Sequence, residues 1–436
     1  MAEEEAAGPL DGLRVLELAS VEGQYCGKLL GDMGANVIKV EPPEGDRARR
    51  IGPFAGEVGG IDGNRGDKAS PFGPNRSLSF WYYNTNKRGV TLDIGCREGQ
   101  TIVRRLVASA DVLVESFPPG YLQSQRLAYQ TLAEINPGLV FASITAFGQT
   151  GPWRDLHSSD LVNMALGGPM ASNGYDDIPG APPIRPDGDH SFLIAGEYAC
   201  TGILTALLER DRLGAGQRLD ISIHEACAST VEGAFPNWEY FRRIVKRQTG
   251  RHANPQSTRP WQYQTADDRY VNLMGGGIPR SFPSWRPLLQ WMARHGAAAD
   301  LQEERYEAVL SRSPAQRRDE DGLHVLDTIG RFVQGLSAEE VYREGQARKL
   351  PWATIRSPEE NLNDPHWQDR GFFVEVEQPE LGQPIRYPGA PYRFSRTPWR
   401  LRNRAPLLGE HNVQIYEGEL GFSRQELRAL YEQRII

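Results

Sequence analysis

Four carboxylates lie close together in the segment NGYDDIPGAPPIRPDGD, which covers residues 173–189. They belong to Asp176, Asp177, Asp187 and Asp189. The glycines and prolines of this segment predict a loop, because both residue types interrupt helices and strands. Aspartates in such a loop can close turns by bonding to nearby backbone N–H groups, or can serve catalysis from a rigid scaffold. The residue types leave both interpretations open.

The segments before this loop predict an α/β domain with a parallel sheet. Residues 13–18 (LRVLEL) and 36–40 (NVIKV) have the apolar pattern of buried strands, and residues 24–34 between them have helical spacing. Such a βαβ unit requires a parallel sheet with a right-handed crossover. The loop at residues 19–24 lacks the GxGxxG fingerprint of dinucleotide sites, which disfavours a nicotinamide cofactor.

Two basic groups lie near predicted strands. Arg47, Arg49 and Arg50 follow the second strand, at the carboxyl end where open α/β sheets bind ligands. Lys87 and Arg88 lie between SFWYY and VTLD, two segments that we predict to be strands. Each group alone is typical of a solvated turn, but together they favour an anionic ligand.

The whole-chain composition limits the classes of partner. With 436 residues the chain is long enough for two domains, and its net charge of −7 disfavours binding to nucleic acid. Its four cysteines are isolated and form no CxxC motif, which predicts neither disulfides nor a zinc site and suits a reducing cytoplasm. The acidic N-terminus and the lack of a long uninterrupted apolar run predict a cytoplasmic protein without a membrane partner.

Several segments resemble, in order, the class III CoA-transferase family, which also includes the α-methylacyl-CoA racemases. They extend from about residue 11 to about residue 415 and include DGLRVLEL, GANVIKVEPPEGDRAR, NTNKRGVTLD, DVLVESFPPG, NPGLVFASITAFGQTGP, GAGQRLDISIHEA, DRGFFVEVEQPELG and APLLGEHN. The resemblance implies an α/β fold: a Rossmann-like parallel-sheet large domain that binds CoA rather than a dinucleotide, a smaller α+β domain, and an interlaced homodimer.

Composition and resemblance together predict the domain boundaries. We expect the large domain at residues 1–225, a linker at 226–262 and the small domain at 263–350. Residues 351–399 are predicted to be a linker and a strand pair. The resemblance implies that the chain end, at about residues 400–436, returns to the large domain.

The resemblance also implies the site residues. In the family's transferases an aspartate forms an aspartyl-CoA thioester while CoA moves from an acyl-CoA to a small organic acid, without a metal. The spacing after Asn173 and Gly174 favours Asp177 as this nucleophile, with Asp176 second. The positions that match CoA-binding residues of the family are Val21, Glu22, Arg49, Asn86, Lys87, Arg88, Leu92, Ser116 and Phe117.

Two alternatives remain within the resemblance. The racemases move an α-proton with a histidine and an aspartate, and their aspartate matches Asp189. Their histidine would precede Asp160, where this chain has Ser159, so racemase chemistry is the weaker hypothesis. Other family members are subunits that require a homologous partner because they have lost the nucleophile; the presence of both Asp176 and Asp177 argues against this.

Overall fold

The chain forms two compact units, which are described here from a computed structural model. The structure describes residues 7–55, 73–231, 233–279, 282–298, 300–312 and 319–436. The larger unit contains Met1–Pro169, Arg185–Val231 and Pro365–Ile436, and the smaller unit contains Met170–Ile184 and Glu232–Asp364.

The boundaries of these two units differ from the predicted domain boundaries at residues 225, 262 and 350. Residues 170–184 pack within the smaller unit, because Arg247 donates hydrogen bonds to the carbonyl oxygens of Tyr175 at 3.1 Å and Ala181 at 2.9 Å. Most of the segment predicted as a linker therefore belongs to the smaller unit. Residues 400–436 lie in the larger unit.

The larger unit is built on a six-stranded parallel sheet with the order β3-β2-β1-β4-β5-β6. This order confirms the predicted Rossmann-like sheet. β7, β8 and β9 form an antiparallel sheet in the smaller unit, and β10 and β11 form an antiparallel pair in the larger unit. In chain order the strands are β1 Arg14–Leu18, β2 Asn36–Glu41, β3 Lys87–Thr91, β4 Val112–Glu115, β5 Val140–Thr145, β6 Arg218–Ser222, β7 Gln262–Gln264, β8 Tyr270–Leu273, β9 Trp352–Thr354, β10 Phe373–Gln378 and β11 Gln383–Pro388.

Helices cover the sheet of the larger unit, and α9 to α13 lie in the smaller unit. In chain order they are α1 Gln24–Asp32, α2 Leu78–Tyr83, α3 Arg97–Val107, α4 Tyr121–Ser124, α5 Tyr129–Ile135, α6 Asp160–Leu166, α7 His190–Leu213, α8 Ile223–Ser229, α9 Ala234–Phe241, α10 Phe282–Arg294, α11 Glu304–Ser311, α12 Glu320–Gln334, α13 Ala338–Ala347, α14 Pro365–Asp369 and α15 Arg424–Glu432.

One predicted strand was wrong. The segment SFWYY lies in α2, because the side chain of Ser77 accepts a hydrogen bond from the backbone N–H of Phe80 and so caps a helix. Lys87 and Arg88 consequently begin β3 instead of following a strand. Since β2 and β3 are parallel, these two cations start their strand on the amino side of the sheet.

The helix α7 passes a length and composition test for membrane spans. Core helices of globular proteins pass the same test, and α7 packs against α1, α8, β5 and β6. Ala195, Gly196 and Ala199 are buried on its inner face, and these small residues permit close approach of α1. The helix therefore forms part of the core of the larger unit.

Candidate active site

A cavity of about 320 Å³ lies in the larger unit beside the loop that follows β1. Because β1 and β2 are parallel, the loops after them leave the carboxyl edge of the sheet, where open α/β sheets bind ligands. Carboxylates, guanidinium groups and apolar side chains share the lining, which suits an anionic molecule with an apolar body. The lining residues are Val21, Glu22, Arg47, Arg50, Ile51, Ser158, Ser159, Asp160, Leu161, Arg185, Asp189 and Phe192.

Arg47 and Arg50 reach this cavity because of the 3-10 helix Arg47–Arg50. A 3-10 helix has three residues per turn, so side chains three positions apart lie above one another. The intervening Arg49 points into the protein and is buried. Within one short helical turn, two arginines therefore line the cavity and the third is buried inside the protein.

A buried lysine connects the two loops beside the cavity. Lys39 Nζ donates to the carbonyl oxygen of Ala19 at 2.9 Å and lies 3.5 Å from the carboxylate of Asp46. The Asp46 side chain accepts a hydrogen bond from the backbone N–H of Ala48 at 2.6 Å and so caps the 3-10 helix. Burial alone would lower the pKa of Lys39, but neighbouring carboxylates, Asp46 foremost, raise it overall. The ammonium group therefore stays charged and holds both loops.

Asp160 joins two helices beside the cavity. It is only 4% exposed, and its Oδ2 accepts a hydrogen bond from Arg185 Nη1 at 2.5 Å. Its Oδ1 accepts from the backbone N–H of Ser191 at 2.8 Å. Since Asp160 begins α6 and Ser191 lies in the first turn of α7, this carboxylate ties the start of one helix to the start of the other.

Asp189 lies at the N-cap position of α7 and is one of the residues that line the cavity. The side chain makes no capping hydrogen bond to the helix. The backbone carbonyl of Asp189 accepts instead from the N–H groups of Phe192 at 3.1 Å and Leu193 at 3.2 Å. A carboxylate at the N-terminus of this 24-residue helix is in a position where the helix dipole stabilises negative charge.

Asp176 and Asp177 lie in the smaller unit and interact with the segment around Thr249. The Asp176 carboxylate accepts hydrogen bonds from the backbone N–H of Thr249 and from Arg251, both at 2.8 Å. The hydrogen bond from the Thr249 N–H is the main reason that the pKa of Asp176 is lowered. Asp177 accepts a hydrogen bond from the hydroxyl of Thr249. Both aspartates are thus bonded to a segment that lies 72–75 positions further along the chain.

Arg49 and Lys87, two of the predicted CoA ligands, are occupied inside the protein. Arg49 is 1% exposed and forms a double ion pair with Glu41, at 2.6 Å and 2.7 Å. Lys87 is 2% exposed and binds Glu17 at 2.7 Å. Burial lowers the pKa of Lys87 to about 8. Neither cation is presented to a phosphate.

Three further predicted CoA ligands also make internal contacts. The side chain of Asn86 accepts hydrogen bonds from the backbone N–H groups of Arg402 and Asn403 and so fastens the returning chain. Arg88 pairs with Glu419. The side chain of Leu92 is buried in the core of the larger unit.

Ser116 and Phe117 form the turn after β4 and support the cavity loop. Ser116 Oγ accepts a hydrogen bond at 2.9 Å from the backbone N–H of Ser20, the residue that precedes Val21. The N–H of Phe117 donates to the carboxyl of Glu115 at 2.8 Å. Burial raises the pKa of Glu115 to about 7. The turn after β4 is therefore attached to the loop that carries Val21.

The structure places in one cavity several residues that the sequence does not assign to a common site. Of the predicted site residues, Val21, Glu22 and Asp189 line one cavity. The sequence predicts an anionic ligand near Arg47 and Arg50 but marks neither as a CoA ligand, and it does not single out Arg185. The signal for Arg185 was its place in the acidic loop, four residues before Asp189.

The histidine needed for racemase chemistry does not occur among the described residues that line this cavity. Ser159 stands at the matching position, and its hydroxyl accepts a hydrogen bond from the backbone N–H of Val162, which caps α6. Within the described ranges there is also no group of three or more His, Cys, Asp or Glu side chains that could hold a metal ion.

Comparison with known proteins decides the family. The sequence profile described as CoA-transferase family III matches residues 10–412. The chain belongs to CoA-transferase family III. This confirms the family that the ordered segments predicted, and with it the assignment as a class III CoA-transferase, an enzyme.

Relatives within this family match over almost their whole length. Succinyl-CoA:(R)-benzylsuccinate CoA-transferase subunit BbsE of Thauera aromatica is 32% identical over 403 residues, which cover 92% of each chain. Succinyl-CoA--D-citramalate CoA-transferase of Chloroflexus aurantiacus is 31% identical over 441 residues, which cover 100% of each chain. The crystal structure of a CAIB/BAIF family protein from Brucella suis has a TM-score of 0.75 at 28% identity, covering 94% of this chain and 99% of that one.

Proposed function

We propose that this class III CoA-transferase moves CoA from succinyl-CoA to a second dicarboxylic acid, with Asp189 as the nucleophile. The observation that carries the proposal is that Asp189 lines the same cavity as Val21 and Glu22, in the loop where the resemblance places CoA. Asp177, which the sequence favoured, instead bonds to Thr249 in the smaller unit. The choice of Asp189 therefore revises the preference drawn from spacing alone.

The names of the relatives support the choice of acids. The relatives from Thauera and Chloroflexus are named for succinyl-CoA as donor and for benzylsuccinate or citramalate as acceptor. Succinate, benzylsuccinate and citramalate each carry two carboxylates. The guanidinium groups and apolar side chains of the cavity suit such acids.

The first half of the proposed reaction transfers CoA to the enzyme. The carboxylate of Asp189 attacks the thioester carbonyl, so that a C–O bond forms, the C–S bond breaks, and a mixed anhydride and CoA thiolate result. The thiolate then attacks the Asp189 carbonyl of the anhydride. A new C–S bond forms and succinate leaves as a carboxylate, which produces an aspartyl-CoA thioester.

The second half runs in the opposite direction with the acceptor acid. The acceptor carboxylate attacks the Asp189 carbonyl and releases CoA thiolate, which then attacks the acceptor carbonyl of the new anhydride. The product acyl-CoA forms and Asp189 returns as a free carboxylate, with no net transfer of protons. Because anhydrides hydrolyse, the site must exclude water while they exist.

Trapping of the intermediate tests this proposal. The purified chain is treated with succinyl-CoA and then with hydroxylamine or borohydride, and the modified residue is located by mass spectrometry. We expect the modification at Asp189, and we expect Asp189→Asn to lower kcat by roughly 10³-fold or more. Asp177→Asn and Asp176→Asn are the matched controls and should remain active. Modification of Asp177 together with an active Asp189→Asn variant would overturn the assignment.

A further inference from the structure

We propose that Arg50 binds the second carboxylate of the donor and acceptor acids and so selects dicarboxylic acids. This inference rests on the proposed function, because it assumes that both acids react at Asp189. The residue differs from the CoA ligands implied by the resemblance, which include Arg49 but not Arg50.

The charges of the cavity single out Arg50. Of the three guanidinium groups in the lining, Arg47 pairs with Glu22, and Arg185 pairs with Asp160. Arg50 is exposed and makes no hydrogen bond or ion pair within the part of the chain that the structure describes. It is therefore the cavity cation whose donors are available for an incoming anion.

An arginine in this position can distinguish two acids of equal length. Its planar guanidinium donates two parallel hydrogen bonds to a carboxylate, and such charge-assisted pairs are stronger than neutral hydrogen bonds. Without Arg50, a second carboxylate would enter a cavity that already contains the carboxylates of Glu22, Asp160 and Asp189. Repulsion from these groups would then oppose binding.

The apolar part of the lining fits the hydrocarbon segment of the same molecule. Val21, Ile51, Leu161 and Phe192 share the cavity with Arg50 and Asp189. One reacting carboxyl at Asp189, an apolar body and a distal carboxylate at Arg50 together describe a dicarboxylic acid. Since donor and acceptor react in turn with the same aspartate, one distal site serves both.

Self-exchange reactions test this inference without knowledge of the natural acceptor. One assay follows labelled succinate into succinyl-CoA, and the other follows labelled butyrate into butyryl-CoA, in which a methyl group replaces the distal carboxylate. We expect Arg50→Gln to lower kcat/KM for succinate exchange by roughly 10–100-fold. Butyrate exchange should change by no more than about twofold, because it lacks the group that Arg50 binds. Arg428→Gln, an exposed arginine on α15, is the control and should alter neither reaction.

Other outcomes would overturn the inference. Equal losses in both exchanges, with weaker binding of CoA itself by calorimetry, would show that Arg50 meets the CoA phosphates instead. No change in either exchange would exclude any contact with substrate. Hydroxylamine trapping separates the two proposals. A modified Asp189 in the unaltered protein after treatment with succinyl-CoA supports the nucleophile whatever happens to acid selectivity in Arg50→Gln, whereas no modification of Asp189 under these conditions refutes the proposed function.

Discussion

At the scale of single residues, neighbouring arginines in the segment EGDRARR have different environments. Arg49 is enclosed by Glu41 and by the ring of Phe80, which lies 3.8 Å from its guanidinium carbon. Arg47 and Arg50 line the cavity. The three arginines carry the same charge, so charge alone does not show which of them bind a ligand. A test must therefore separate an effect on protein stability from an effect on ligand binding.

Substitution of the buried arginine should affect folding before it affects catalysis. We expect Arg49→Gln to lower the free energy of unfolding by about 3–5 kcal/mol, because it leaves the buried carboxylate of Glu41 without its partner. Arg47→Gln disrupts a solvent-exposed ion pair with Glu22 and an exposed hydrogen bond to Ser20, and it should cost less than about 1 kcal/mol. Urea unfolding measures both. An Arg49→Gln protein of normal stability that had lost CoA affinity would support the original prediction of a phosphate ligand.

At the scale of elements, the start of α7 determines where Asp189 lies. Asp160 holds this start through the backbone N–H of Ser191 and also binds Arg185. A helix with an anchored first turn presents its N-cap side chain in one direction. The contact between α6 and α7 is therefore expected to influence the reaction, although Asp160 itself need not meet the substrate.

Two substitutions at Asp160 separate these contacts. Asp160→Asn keeps an oxygen that can accept from Ser191 but removes the ion pair, whereas Asp160→Ala removes both. We expect the alanine variant to lose about 1–3 kcal/mol of stability and to have the lower kcat, with the asparagine variant between it and the unaltered protein. Thermal unfolding and succinate exchange measure the two effects. Equal kcat values for all three proteins would show that the contacts of Asp160 with Ser191 and Arg185 do not influence the reaction at Asp189.

At the scale of the whole molecule, α9 presents apolar side chains that the described part of the chain leaves exposed. Phe235, Trp238, Tyr240 and Phe241 are 47–82% exposed, and no residue of this helix is buried. Exposed aromatic groups of this kind mark protein–protein contacts. They support the homodimer that the family resemblance implied.

The oligomeric state is directly measurable. Light scattering should give twice the chain mass of 48.7 kDa. Replacing Trp238 and Phe241 together by Glu should shift the protein toward the monomer, because the charges would have to be buried in the interface. Tyr431→Glu, at an exposed aromatic residue of α15, should leave the dimer intact. A monomeric unaltered protein would refute the homodimer.

The sequence by itself determined the fold of the larger unit and the family. The strands β1, β2, β4 and β5 are short, mainly apolar segments with helical patterns in the chain between them, and these signals are local. The alternation of strands and helices then predicts a parallel sheet, because each helix connects two strands that run in the same direction. The segment containing the proposed nucleophile was also recognisable, because its carboxylates and turn residues are adjacent in the chain.

Only the tertiary structure decided which residues face the cavity. Arg49 is buried because Glu41, Asn75 and Pro406 surround it, and Pro406 comes from the far end of the chain. The Asp176 carboxylate is hydrogen-bonded because the fold places Thr249 and Arg251 beside it. Spacing along the chain does not report such partners, since the environment of a side chain depends on contacts with residues distant in sequence. For that reason the proposal of Asp189 rather than Asp177 rests on the structure and not on the motif.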